Sequence, residues 1–277
     1  MSSTLLVAMA PDRVDAGACA AIVAPVLDAH PSDMAMQIAR SDGLFELPLA
    51  AEAVSPLAEA LRAAGQAWYA VQPTMVPRLP KPLTASSLDP RHDDALRLAV
   101  RMTGPPELVD PRRVLAAVPL RWSTTTTQAN LPKQASMGSQ VTRVAKSVAL
   151  TGGLSLLGGG GKTASTPAQI SISERSLLAL VVLDGPGQLR RLHVYADRCD
   201  YRVLPAPAPS VDANWRALLE AVRARVRPQQ AGAALLDAAI ARDDAALWTF
   251  GDDNALADRL RWLILRAALL RMGATPA

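Results

Sequence analysis

Three short apolar runs in the first 71 residues, "TLLVAM" (4–9), "LFELPL" (44–49) and "QAWYAV" (66–71), alternate with longer amphipathic stretches. Runs this short, bounded by turn formers such as Pro11, Gly43 and Gly65, read as strands. The stretches between them read as helices. "DAGACAAIVAPVLDA" is Ala-rich, with Ile22, Val23, Val26 and Leu27 on one stripe and an interruption or kink expected near Pro25. "PSDMAMQIARSDG" places Met34, Ile38 and Met36 inward, and Gly43 stops it. "AAEAVSPLAEALRAAG" buries Val54, Leu57, Ala58 and Leu61 and ends at Gly65. Two helices after the first strand permit a crossover. The order therefore predicts a small βααβαβ sandwich over residues 1–73, with helices on one face of a three-stranded sheet.

This order and spacing, carried by "LLVAM", "SDMAMQIARSDG", "LFELPL" and "AEAVSPLAEALRAAGQAWYAV", resemble the C-terminal domain of the ribosomal stalk protein and the fold of the Clp protease adaptor. The resemblance implies a protein-interaction module. It departs from the stalk domain at the factor-binding helix, which is rich in Lys and Gly. Here that stretch is "PSDMAM", and no lysine precedes Lys81. Factor binding is not part of what the resemblance implies.

Residues 72–90, "QPTMVPRLPKPLTASSLDP", contain Pro73, Pro77, Pro80, Pro82 and Pro90. That density predicts an extended, semi-rigid linker over 74–90, with a PxxP-type ligand as the competing reading. A mainly antiparallel β domain is expected over 91–227. "DALRLAVRM" and "RRVLAAVPLRW" flank the turn-rich "TGPPELVDP", and "RSLLALVVLDGPGQLRRLHVYADRCDY" is a hairpin around Asp184-Gly185-Pro186-Gly187. "VDANWRALLEAVRARV" is an amphipathic helix with Ser210 or Asp212 at its N-cap and Trp215, Leu218, Leu219, Val222 and Val226 on its apolar stripe. Strands closed by one such helix resemble a pleckstrin-homology-like barrel. Through "RRLHVYADRCDYRVL" and "NWRALLEAV" the chain also resembles a group of uncharacterised bacterial proteins, which implies no activity. Residues 228–277 read as a helical tail of three segments, "QAGAALLDAAIA", "DDAALWTFG" and "DDNALADRLRWLILRAALLRM". In the last, Leu256, Leu260, Leu263, Ile264, Ala267 and Leu270 form one stripe, expected to pack on the second domain. Arg259, Arg261, Arg266 and Arg271 lie off it.

Charge is unevenly distributed. No Asp or Glu occurs from Pro111 to Ser173, a stretch with seven basic residues. Within it, residues 123–173 are expected to be a flexible basic insertion between two strands. Its centre, "SQVTRVAKSVAL", can form about three helical turns, which are marginal in water without a surface or partner. The candidate contacts to an anionic surface are Arg121, Lys133, Arg143, Lys146 and Lys162. Specific nucleic-acid binding is disfavoured, because Trp122 is the one aromatic residue nearby. The expected partners are a protein and a peripheral membrane or other anionic surface.

Other sites are weak. Cys19 and Cys199 lack zinc or redox spacing, and the histidines His30, His92 and His193 are isolated. Asp197 and Cys199 share a strand face without a base beside them. Asp93-Asp94, Asp243-Asp244 and Asp252-Asp253 look like helix starts. No cofactor, metal or catalytic residue is implied. With no secretory leader and no long apolar run, a cytoplasmic location is expected. The leading reading is a non-enzymatic interaction or scaffold protein.

The competing reading is a nucleotide enzyme built on "GGGGKT" (158–163). A phosphate loop needs GxxxxGK[ST] between a strand and a helix. Here Leu156 stands where the first glycine belongs, and Pro167 and the β-formers after it oppose a following helix. Titration with ATP or GTP should accordingly reveal no binding that disappears in Lys162→Ala; a saturable, Lys162-dependent isotherm would restore the enzyme reading.

Overall fold

The computed structural model describes residues 3–49, 51–90, 96–100, 107–128, 169–228 and 230–274. Residues 1–123 and 174–277 form one compact unit, and residues 124–173 form another. The first six elements follow the sequence pattern: β1 (Thr4–Ala8), α1 (Ala16–Leu27), α2 (Pro31–Arg40), β2 (Leu44–Leu47), α3 (Ala51–Ala63) and β3 (Trp68–Val71). The chain is α+β, and its first sheet is antiparallel in the order β2-β1-β3. Leu6 and Ala8 of β1 point into a core formed with the three helices, through residues such as Val23, Ile38, Leu57 and Leu61.

Local details of these helices differ from expectation. The Asp15 carboxylate accepts from Ala18 N–H at 2.9 Å and starts α1, which continues through Pro25 to Leu27. Its buried face is Cys19, Ala20, Val23 and Ala24, whereas Val26 is exposed. Small side chains let α1 pack closely, and the bulkier ones flank that face. In α2, Met34 and Ile38 are buried and Met36 is exposed.

The second sheet has seven strands: β4 (Leu83–Asp89), β5 (Leu96–Val100), β6 (Glu107–Val109), β7 (Val114–Gln128), β8 (Gln169–Gly185), β9 (Gln188–Tyr195) and β10 (Trp248–Phe250). Their order is β10-β7-β8-β9-β4-β5-β6. The sheet is mixed, because β4 pairs with β9 and β10 with β7 in parallel. Among the described strands β10 and β6 are its two edges, so the expected barrel outline is an open sheet instead.

Two segments depart from the sequence pattern. Residues 83–89, the second half of the expected linker, are β4, with Ala85, Leu88 and Asp89 buried. The prolines lie before this segment and directly after it. They leave residues 83–89 free to donate ladder hydrogen bonds. "WTF" in the expected helical tail is β10, whose residues Trp248 and Phe250 align with Leu120 and Trp122 of β7.

The run from Leu177 to Val182 is buried without interruption because both faces of the sheet are covered. Leu178, Leu180 and Val182 face α4 (Val211–Arg223) and α5 (Ala233–Ala241). Helix α4 is capped by Ser210 and buries Trp215, Leu218, Leu219 and Val222 as its pattern predicts. Leu177, Ala179 and Val181 face the last helix, α6 (Asp253–Arg271). The β8–β9 hairpin turns through Pro186-Gly187, with Gly187 at φ 73°.

Helix α6 has two apolar faces, not one stripe. Leu256, Leu260 and Ile264 pack on the seven-stranded sheet. Trp262, Leu265 and Leu269 pack on Leu5, Val7, Tyr69 and Val71, the face of the small sheet opposite its three helices. Leu270, expected in the stripe, is exposed. The Trp262 indole N–H donates to the Ala8 carbonyl of β1 at 2.6 Å in a buried position. The layers therefore run helices, small sheet, α6, large sheet, helices.

Gly232 shows how tightly α5 meets this stack. Its φ is 92°, and a Cβ there would lie 2.2 Å from the Ala117 carbonyl oxygen of β7. Gly65 has a similar φ of 75° with open space around it. Gly65→Ala should cost about 1–2 kcal/mol from backbone strain alone. Gly232→Ala adds a backbone overlap and should cost at least about 3 kcal/mol. Urea unfolding of the two variants checks this, and equal losses would contradict the close approach.

Candidate functional site

Successive residues of β7 point to opposite faces of the large sheet, and this separates two polar groups. Arg121 lies on the α4–α5 side. Its guanidinium meets Asp244 at 2.6 Å and Glu174 at 3.8 Å. Asp244 also lines a cavity of about 220 Å³ with Trp215, Asp212 and Arg242, the last two paired at 2.8 Å. The cations in this corner are thus matched by carboxylates. Of the five candidate contact residues, Arg121 is the one the structure describes. Lys133, Arg143, Lys146 and Lys162 lie outside the described residues.

Trp122, on the α6 side, lies near a buried group contributed by β9. Arg191 and His193 are each 2% exposed. The Arg191 guanidinium bonds Asp253, the first residue of α6, at 2.5 Å. The His193 ring lies 6.2 Å from the Trp122 and Tyr195 rings. Burial, reinforced by the Arg191 charge and opposed by Asp253, lowers the His193 pKa to about 4, so the imidazole is neutral near pH 7. Arg191 Nε and Nη1, His193 Nε2 and Asp253 Oδ1 are buried without a hydrogen-bond partner among the described residues. Such atoms are costly in a packed interior, which marks this cluster as a strained polar point in the stack.

A third arrangement runs along α6. Arg259 lies over Trp248 at 5.2 Å and over Trp262 at 5.5 Å, and its guanidinium reaches Asp12 at 2.6 Å. One helical turn beyond Trp262, Arg266 stacks on the same indole at 5.6 Å. Beside Arg259 a cavity of about 260 Å³ is lined by Asp12, Ser41, Asp42 and Trp68. Burial raises the Asp42 carboxyl above its ordinary pKa.

The remaining sequence candidates take structural roles. His30 caps α2, its Nδ1 accepting from Ser32 N–H at 3.3 Å. Cys19 and Cys199 are free thiols, and burial pushes both up, Cys199 to about 11, which disfavours the nucleophilic thiolate. Asp197 approaches Arg175 at 3.7 Å. Asp252 caps α6 by accepting from Ala255 N–H at 3.0 Å, as its doublet suggested. Asp253 serves Arg191 instead. His92, Asp93 and Asp94 lie outside the described residues. Among the described residues no group of three His, Cys, Asp or Glu side chains is placed to hold a metal ion, and no helix is long and apolar enough to cross a membrane.

Sequence reasoning missed the Arg191–Asp253 pair and the Arg259–Trp262–Arg266 ladder. The first joins residues 62 positions apart. The second had a readable signal, because residues three and seven positions along a helix share a face. No family model matches the sequence, and neither does any curated protein or solved structure.

The buried imidazole makes stability depend on pH in a defined direction. His193 takes up its proton near 6.5 when unfolded and near 4 when folded. Below 6.5 the unfolded chain binds the extra proton. Stability present above 6.5 is therefore lost as the pH falls towards 4, by up to about 3 kcal/mol. Urea midpoints for the wild type and His193→Gln should diverge in slope over that window, with the variant flatter. Parallel slopes would show that His193 is not the group responsible.

Proposed function

We propose that this protein is a non-enzymatic interaction or scaffold protein that contacts an anionic membrane surface through the basic segment 124–173. The observation that carries this reading is the separation of charge between the two units. The chain's formal net charge is +4. Residues 124–173 contain no acid and four cations, Lys133, Arg143, Lys146 and Lys162. The other unit holds equal numbers of basic and acidic residues, 25 acids among them, and is formally neutral.

Within that neutral unit many cations are already engaged. Arg121, Arg175, Arg190, Arg191, Arg223 and Arg259 each reach a carboxylate. Arg121 belongs to the sheet's own ion pairs, and the contact role falls on the four residues beyond it. The resemblance of the 1–73 sequence pattern to a protein-interaction fold supports a second contact, with a protein partner, through those residues.

Each basic residue near an anionic bilayer contributes about 1 kcal/mol, and the attraction weakens as salt screens it. Flotation with vesicles containing an anionic lipid should recover the full chain at low salt and progressively less of it as salt rises. Replacing Lys133, Arg143, Lys146 and Lys162 together by Gln should cut recovery at least about tenfold. Neutral vesicles should recover neither protein. Recovery of the quadruple variant equal to that of the wild type would overturn the proposal.

A further inference from the structure

We infer that the cleft between the start of α5 and the C-terminal half of α6 is a binding site for a long-chain carboxylate. The cleft has a volume of about 520 Å³, inside the range of roughly 300–1,000 Å³ typical of small-molecule sites. Small residues make one wall. Ala231 forms a parallel bridge to Ala116, and Gly232 is drawn against the Ala117 carbonyl, so this wall lies back against β7. Trp248 and Leu263 supply apolar surface opposite, and Leu270, 46% exposed, stands at the edge.

Two cations complete the lining, Arg266 and Arg271. Among the described residues, ten other arginines of this unit pair with Asp or Glu. Among the described residues no carboxylate forms an ion pair with either of these two. Arg266 is held in place by its stacking on Trp262, and its Nε is buried without a hydrogen-bond partner among the described residues. Arg271 bonds the Ala267 carbonyl through Nε at 3.2 Å, and its side chain is otherwise exposed. Gln230, the other polar side chain at the wall, is committed to the Pro111 and Val114 carbonyls. The polar recognition available is therefore cationic, next to an apolar wall. A ligand that fits both has an anionic head and an apolar body. A carboxylate matches the planar guanidinium fork, and apolar surroundings strengthen the charge-assisted bonds.

Trp248 and Trp262 border the cleft, so their emission provides a direct readout. Titration of the full chain with dodecanoate, below its micellar concentration, should give a saturable change in tryptophan fluorescence. Dodecanol, with the same chain and no charge, should bind at least about tenfold more weakly. Arg266→Gln should weaken dodecanoate about tenfold and leave dodecanol unchanged. Arg271→Gln, at an exposed position that tolerates change, should give a smaller loss of the same sign. The quadruple Gln variant of the basic segment should bind dodecanoate as the wild type does, which separates this cleft from the membrane contact. The inference is overturned if no saturable binding occurs. It is equally overturned if dodecanol matches dodecanoate, if both arginine variants bind dodecanoate as the wild type does, or if the quadruple variant loses it.

Discussion

The fold depends on the burial of α6 between two sheets. The Trp262 side chain is its pivot. Its indole N–H satisfies the Ala8 carbonyl, its ring covers the back of the small sheet, and its π face receives two arginines. Without the indole donor the Ala8 carbonyl would be a buried acceptor without that partner, at a cost of about 1–3 kcal/mol. Without α6 altogether, Leu5, Val7, Tyr69 and Val71 on one side and Leu177, Ala179 and Val181 on the other would both face water. A three-stranded sheet with an uncovered apolar face is a poor independent unit.

This arrangement explains why so much charge is found close to the interior. A helix with apolar residues on two opposite faces has only narrow strips left for its polar ones. Arg259 and Arg266 occupy those strips, where indole rings support them. Asp253, at the helix start, meets Arg191 from the sheet. Arg259 is held both by stacking and by Asp12, Arg266 by stacking, and Asp253 by its ion pair with Arg191. Stacking leaves guanidinium hydrogens available, which is why the C-terminal half of α6 is the place where a ligand's charge can be recognised.

The sequence was informative where structure is dictated locally. The βααβαβ order, the Ser210 cap, the α4 stripe and the turn at Pro186-Gly187 all follow from patterns within a few residues, and all are present. Failures came where tertiary contacts decide. Proline density concealed β4, although the prolines only frame it. β10 exists because it pairs with β7, more than a hundred residues earlier in the chain. The second face of α6 was invisible to a search for one stripe, because Trp262, Leu265 and Leu269 interleave with Leu256, Leu260 and Ile264. For the candidate site, charge imbalance was legible in the acid-free run from Pro111 to Ser173. The neutralisation of Arg121 by Asp244 was not, because it required knowing that the turn before β10 folds back over β7.

The position of α6 in the chain has a consequence for biosynthesis. Synthesis runs from the N-terminus, and α6 follows every other described element. The small sheet can form early and cover one face with α1, α2 and α3. Its other face, and one face of the large sheet, have no cover until α6 leaves the ribosome. Until then the nascent chain carries two complementary sticky surfaces. Docking of α6 closes both at once, and any delay between the sheets and this helix lengthens the interval in which the chain is exposed to aggregation and chaperone capture.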